Sequence, residues 1–153
     1  MPELPEVDSY RTGLAKKMIG WKFKSGRKFC HRASDSDFRI VENQKINGFD
    51  RRGKFLIIHL DSHHILIHLR MTGRIDIVSK TPKYTTVEFD FHNGKKMCLV
   101  DFRKFGKVWI VEDVNENLSD DDKSDTRDSQ KQNNVTDTVT ESTLTAALQY
   151  VIF

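Results

Sequence analysis

Cysteine is scarce in this chain. Of 153 residues only Cys30 and Cys98 are cysteines, 68 positions apart and outside any Cys-x-x-Cys unit. A structural zinc site therefore lacks its ligands, no metal or other cofactor is expected, and the two thiols are read as reduced core residues. Long apolar runs are also missing: nothing approaches the roughly 18 residues of a spanning helix, and the start has no charged-then-apolar secretory pattern. These absences predict a soluble, intracellular protein with no membrane partner. Internal repeats are not evident. Proline is rare as well, and two of the three, Pro2 and Pro5, fall within the first five residues.

Charge is present in quantity but unevenly divided. Residues 1–110 hold 22 Lys and Arg against 12 Asp and Glu, net +10, whereas residues 111–153 hold 3 against 10, net −7. A modest overall charge of +3 thus conceals a basic body and an acidic tail. The basic body is an electrostatic footprint for a polyanion, although a solvated basic surface reads the same way from charge alone. At this length one domain can bury a proper core, and residues 1–114 are assigned to it. Residues 115–142, dominated by Asp, Ser, Thr, Asn, Gln and Lys, cannot offset the entropy of ordering and are expected to form a disordered acidic linker or tail. Residues 143–153 turn apolar again, with Leu144, Ala147, Leu148, Val151 and Ile152 at helical spacing, as in a short truncated helix.

The start, Met-Pro-Glu-Leu-Pro-Glu-Val, carries chemistry once Met1 is removed. Pro2 then presents a free secondary amine, and a terminal amine of pKa about 7.7–8.0 is partly neutral at physiological pH without burial or metal. Glu3 beside it is a ready acid; simple helix entry is the other reading of these prolines. From Pro5 to Gly20 the pattern is helical: Pro5 suits the first turn, Glu6 and Asp8 complement its positive end, and Val7, Tyr10, Leu14 and Met18 share one face. Short β-type runs follow at Trp21–Phe29, Phe38–Phe49, Lys54–Leu60, His64–Leu69, Arg74–Val78, Thr85–Phe91, Lys96–Val100 and Lys107–Val111. Asn47-Gly48, Asp61-Ser62 and Asn93-Gly94 supply turns between them. The expected fold is mainly β with one helix: a two-layer β-sandwich of about eight strands capped by the N-terminal helix.

Three basic runs accompany that start. Arg51-Arg52-Gly53-Lys54-Phe55 precedes a strand, where Gly53 permits close backbone approach and Lys54 reaches toward a phosphate; a solvated basic turn is the alternative. His68-Leu69-Arg70-Met71-Thr72-Gly73-Arg74 ends a strand at a turn, placing Met71 at an exposed position, or in the core as Met is more often used. Asp101-Phe102-Arg103-Lys104-Phe105-Gly106 interleaves cations and aromatics in a loop. Such a loop can fill a gap in a base stack with Phe105 while Arg103 bonds the orphaned base, and Lys104 adds charge for phosphate.

In order and spacing, these four motifs resemble the N-terminal domain of the formamidopyrimidine-DNA glycosylase and endonuclease VIII family, with Leu4 favouring the formamidopyrimidine branch. The likeness covers roughly residues 1–113. It implies a bifunctional DNA glycosylase and AP lyase of base-excision repair. In that scheme Pro2 attacks C1′ of a damaged nucleotide to form an iminium, Glu3 protonates the opening sugar, and Glu6 assists β,δ-elimination. Lys54, counted with that catalytic set, and His68 match phosphate-contacting positions, and Arg70 lies in the same DNA-binding run. Met71, Arg103 and Phe105 match the side chains that occupy the space left by a flipped base. The implied partner is double-stranded DNA with oxidised bases or abasic sites, bound by a monomer. Two departures are visible. Nothing in the chain matches the family's helix-two-turn-helix and finger modules, and residues 83–87, Lys-Tyr-Thr-Thr-Val, lack the family's histidines. A truncated or degenerate paralogue serving as a non-catalytic DNA-binding or interaction module is the alternative.

Overall fold

The computed structural model describes residues 4–112, with side chains from Val7 onward. Pro2, Glu3 and the expected segments 115–142 and 143–153 lie outside the described residues, as does the expected boundary near residue 114. One helix, α1 (Leu4–Met18), opens the chain. Eight strands follow: β1 (Phe23–Lys28), β2 (Gly48–Arg52), β3 (Phe55–His59), β4 (His63–His68), β5 (Arg74–Val78), β6 (Thr85–Phe91), β7 (Lys96–Val100) and β8 (Lys107–Glu112). They form two antiparallel four-stranded sheets, ordered β1-β6-β7-β5 and β2-β3-β4-β8. Among the described residues, no helix is long and apolar enough to cross a membrane.

Helix α1 forms where the pattern requires it. Val7, Leu14 and Met18 are buried, Tyr10 packs beside them, and Lys16 and Lys17 complement the negative end of the last turn. The buried stripe lies against β2 and β3. Between the sheets, period-two alternation directs Leu56, Ile58, Ile65, Ile67 and Val108 inward to meet Phe23, Ile75, Phe89, Phe91, Met97 and Leu99. The aromatic part of this core is tightly interlocked: Phe23 packs edge-on against Phe89 with ring centroids 5.5 Å apart, Phe91 touches both Phe23 and Trp21, and Phe38 tilts onto Phe89. The outer face of the second sheet is apolar too. There Ile57 and Leu66 are buried beneath Phe55, Trp109 and Val111.

The number of strands, β5, β6 and β7 residue for residue, and the capping helix agree with the sequence expectation. The expected strand at Phe38–Phe49 does not form. Phe38–Val41 is a 3-10 turn, with the Asp37 carboxylate accepting the Arg39 amide at 3.0 Å at its start. Phe38 and Val41 sit three residues apart and are both buried, which matches the three-residue repeat of that helix rather than a pleat. Asn43 then takes a left-handed φ of 69°, which a strand does not tolerate; only an isolated bridge between Lys45 and Lys22 follows before the next strand begins at Gly48. The Phe38 turn folds over β1, and its price is a tight fit at Gly26. A Cβ built there falls 2.9 Å from the Phe89 ring and 3.1 Å from the Phe38 Cβ. Gly26→Ala should therefore displace the interlocked rings and destabilise the fold by about 1–3 kcal/mol. Urea denaturation measures this, and an unchanged midpoint would show that the Phe89 ring moves aside freely.

Candidate nucleic-acid interface

Sheet register brings the sequence-predicted residues to one end of the sandwich. In the second sheet Arg52 pairs with Phe55, Phe55 with His68, and His68 with Lys107, forming one row across four strands. In the first sheet the matching row is Arg74, Val100 and Thr85. Four connections therefore emerge at this end: Gly53-Lys54, residues 69–73, residues 101–106, and the segment that delivers Tyr84 to β6. Helix α1 is tied to the same end on both sides. The Asp8 carboxylate accepts from Arg51 at 3.4 Å while Arg51 also donates to the Gly53 carbonyl, and the Tyr10 hydroxyl accepts the Ile75 amide at 3.4 Å. Arg11 donates to Asp8 at 2.8 Å, and this bond, ahead of that from Arg51, keeps the Asp8 carboxyl below its ordinary range.

Asp101 organises the loops. It is 1% exposed, and its carboxylate accepts from the Thr72 hydroxyl and from the amides of Arg103 at 3.1 Å, Phe105 at 3.0 Å and Gly106 at 2.7 Å. Its own amide donates to the Tyr84 carbonyl, and its carbonyl accepts the Lys104 amide, both at 3.0 Å. One side chain thus joins the Met71 loop to the Arg103–Gly106 loop. Burial alone would raise its pKa; the Thr72 hydroxyl and the three amides outweigh burial and hold it below 3.8. The first loop closes where only glycine fits: a Cβ at Gly73 would lie 2.6 Å from the Leu69 carbonyl oxygen, whereas one at Gly106 would come 3.3 Å from the Asp101 carboxylate.

On this frame Met71 and Phe105 stand out from the surface, 49% and 42% exposed, and the Arg103 guanidinium lies over the Phe105 ring at 4.9 Å. Met71 is therefore not a core residue. Arg70 and Lys104 hold left-handed φ values of 58° and 64°, backbone strain concentrated at these turns. The Arg70 amide donates to Nδ1 of His68 at 3.0 Å, so the neutral ring carries its proton on Nε2, a donor suited to a phosphate oxygen. Burial, then the charges of Arg70 and Lys54, lower the His68 pKa from 6.5 to about 4.

Lys54, His68, Arg70, Met71, Arg103, Lys104 and Phe105 therefore share one end of the molecule. Glu6 lies in α1, two residues before the Arg51-linked Asp8, with its side chain outside the described residues. Sequence reasoning missed Asp101 as the organiser of the loops and missed the exposed Tyr84 and Phe102 beside them. An Asp opening a turn that ends in Gly was the available signal for the first.

Comparison with known proteins agrees with this fold. The family model for the formamidopyrimidine-DNA glycosylase N-terminal domain matches residues 1–108. Formamidopyrimidine-DNA glycosylase from Protochlamydia amoebophila is 40% identical over 126 residues, covering 76% of this chain and 46% of that protein. The enzyme of that name from Halalkalibacterium halodurans is 36% identical over 127 residues, covering 77% of this chain and 46% of that one. Among solved structures, the Lactococcus lactis Fpg bound to DNA containing Fapy-dG superposes with a TM-score of 0.68 at 28% identity, covering 76% of this chain and 46% of that one. The same enzyme in complex with abasic-site DNA gives 0.68 at 28%, with the same coverage. The sandwich and the family match together define the N-terminal domain of a formamidopyrimidine-DNA glycosylase. The chain belongs to the formamidopyrimidine-DNA glycosylase family and spans a little under half the length of the curated relatives it matches.

Two outcomes follow for the site. Asp101→Ala leaves the Thr72 hydroxyl and three amides without their acceptor, and should cost about 2–4 kcal/mol and release amide protection at residues 103–106. Hydrogen exchange reads this directly; retained protection would mean the loop is held by other contacts. For His68, a folded pKa near 4 lies below the ordinary 6.5, so on acidification the unfolded chain takes up the proton first. Stability from this group is complete above 6.5 and is lost as pH falls toward 4. A ring-proton NMR titration should show a neutral His68 at pH 5.5, and Arg70→Ala should move its midpoint upward.

Proposed function

We propose that the chain is the catalytic N-terminal domain of a bifunctional DNA glycosylase and AP lyase that removes oxidised bases in base-excision repair. The observation that carries the reading is the convergence of Lys54, His68, Arg70, Met71, Arg103, Lys104 and Phe105 on the end to which Asp8 and Tyr10 bind the first turns of α1. With Met1 removed, the Pro2 nitrogen bonds to C1′ as the glycosidic bond breaks, and the base leaves with that electron pair and a proton. Glu3 protonates O4′ as the ring opens, and the nitrogen lone pair completes the iminium. Loss of a C2′ proton then expels the 3′ phosphate, and a second elimination, assisted by Glu6, expels the 5′ phosphate. A base buried in duplex cannot be approached at C1′ until it leaves the stack, and Met71, Arg103 and Phe105 would fill the vacancy. Neutral His68, Lys54, Arg70 and Lys104 would hold the flanking phosphates.

Borohydride reduction tests the covalent step. The full chain should become trapped on duplex DNA with an abasic site, which requires no lesion recognition. An N-terminal extension that places the Pro2 nitrogen in a peptide bond should abolish trapping. Equal trapping with and without the extension would assign the nucleophile to a lysine. Binding without trapping in a chain shown by intact mass to lack Met1 would instead favour a non-catalytic DNA-binding module.

A further inference from the structure

Tyr84 and Phe102 have no part in that scheme, yet they are the most conspicuous apolar groups at this end of the molecule. Tyr84 is 53% and Phe102 61% exposed, and their rings meet at 65° with centroids 6.4 Å apart. They form an open, edge-on corner rather than a closed stack. Tyr84 holds a φ of 67°, a conformation costly for a bulky aromatic residue, and the Asp101 amide bonded to its carbonyl keeps it there. Strain spent on presenting a ring to solvent has no use in the core.

The corner is also charged in a particular way. The Lys83 ammonium lies 5.1 Å from the centre of the Tyr84 ring, and Arg103, the neighbour of Phe102, lies over Phe105. Aromatic faces flanked by cations at fixed positions suit a ligand that combines a flat π-surface with negative charge. Because Asp101 bonds Tyr84 through its backbone and the Arg103–Gly106 loop through its carboxylate, the corner and the Phe105 tip are held as one unit.

We infer that Tyr84 and Phe102 form a stacking shelf for one unpaired nucleobase of the bound DNA, next to the base step that Phe105 enters, with Lys83 holding that nucleotide's phosphate. The shelf rests on the DNA-binding reading above. A base displaced from pairing gains a surface to stack on, so DNA with an unpaired base beside the abasic site is bound in preference to DNA without one.

The test uses the full chain and two duplexes that share an abasic site, one fully paired elsewhere and one with an adjacent bulged 2-aminopurine. Tyr84→Gly suits its left-handed backbone, and Phe102→Ala truncates an exposed ring, so the double variant should keep its unfolding midpoint. Its affinity for the bulged duplex should fall about ten- to a hundredfold, the worth of one stacked base. Affinity for the paired duplex should stay as in the parent chain. The parent chain and Tyr84→Phe should quench the 2-aminopurine emission on binding, and the double variant should not. Phe105→Ala serves as the reference and should weaken binding to both duplexes. If Phe105→Ala acts in that way while the double variant binds and quenches like the parent, the shelf is wrong and the DNA-binding reading stands. Equal losses by the double variant on both duplexes would also overturn the shelf. If the parent chain binds neither duplex, both readings fall.

Discussion

The buried carboxylate of Asp101 is the constraint on which the binding end of this molecule depends. A lone charge in that position would be expensive, and it is tolerated because a hydroxyl and three amides point at it. The benefit runs in both directions. The amides of a tight loop with no sheet partner have their hydrogen bonds met, and the loop conformation is specified by where the carboxylate sits. Since Thr72 comes from a different connection, the same charge also fixes the spacing between the Met71 and Phe105 loops. Left-handed backbone at Tyr84 and Lys104 is sustained by their bonds to the Asp101 main chain.

Electrostatics at this end follow from the same economy of placement. Three carboxylates near the basic loops are already committed: Asp101 is buried among donors, Asp8 is held by Arg11 and Arg51, and Asp76 accepts from Arg74 at 3.1 Å. Arg70, Arg103 and Lys104 then contribute a field that little acid on the same loops cancels. His68 records that field, because a ring beside Arg70 and Lys54 resists a further positive charge and stays a neutral donor. Such a donor binds a phosphate oxygen without adding to the repulsion among the cations.

Much of this was legible in the sequence, and the reasons differ by element. Strands β5 and β6 are legible to the residue because alternating apolar positions and turn residues such as Asn93-Gly94 agree with each other, and β7 because that same turn precedes a short continuous apolar run at residues 97–100. The Phe38 region misled because an apolar run of mixed spacing suits either a strand or a 3-10 turn, and only packing against Phe89 decides. The Met71, Arg103 and Phe105 loops were found from their composition. Their joining was not, since the link between Thr72 and Asp101 spans 29 positions, and a charged residue in a loop gives no sign that it is buried. Left-handed backbone at Tyr84 was equally hidden, because that conformation is imposed by a neighbour rather than preferred by tyrosine.

Helix α1 shows how weak interactions can still decide geometry. Its hold on the core comes from Val7, Leu14 and Met18, and burying such side chains is worth about 1.5–3 kcal/mol each. That apolar stripe resists removal of the helix but only loosely resists sliding along its axis, because one methyl-lined contact resembles the next. Directional bonds break the degeneracy. Asp8 to Arg51 fixes the helix against the Gly53 turn, and Tyr10 to Ile75 fixes it against the strand that follows the Met71 loop. Both involve partly exposed groups and add little stability. Their effect is to set the register of the helix relative to the loops that Asp101 holds together.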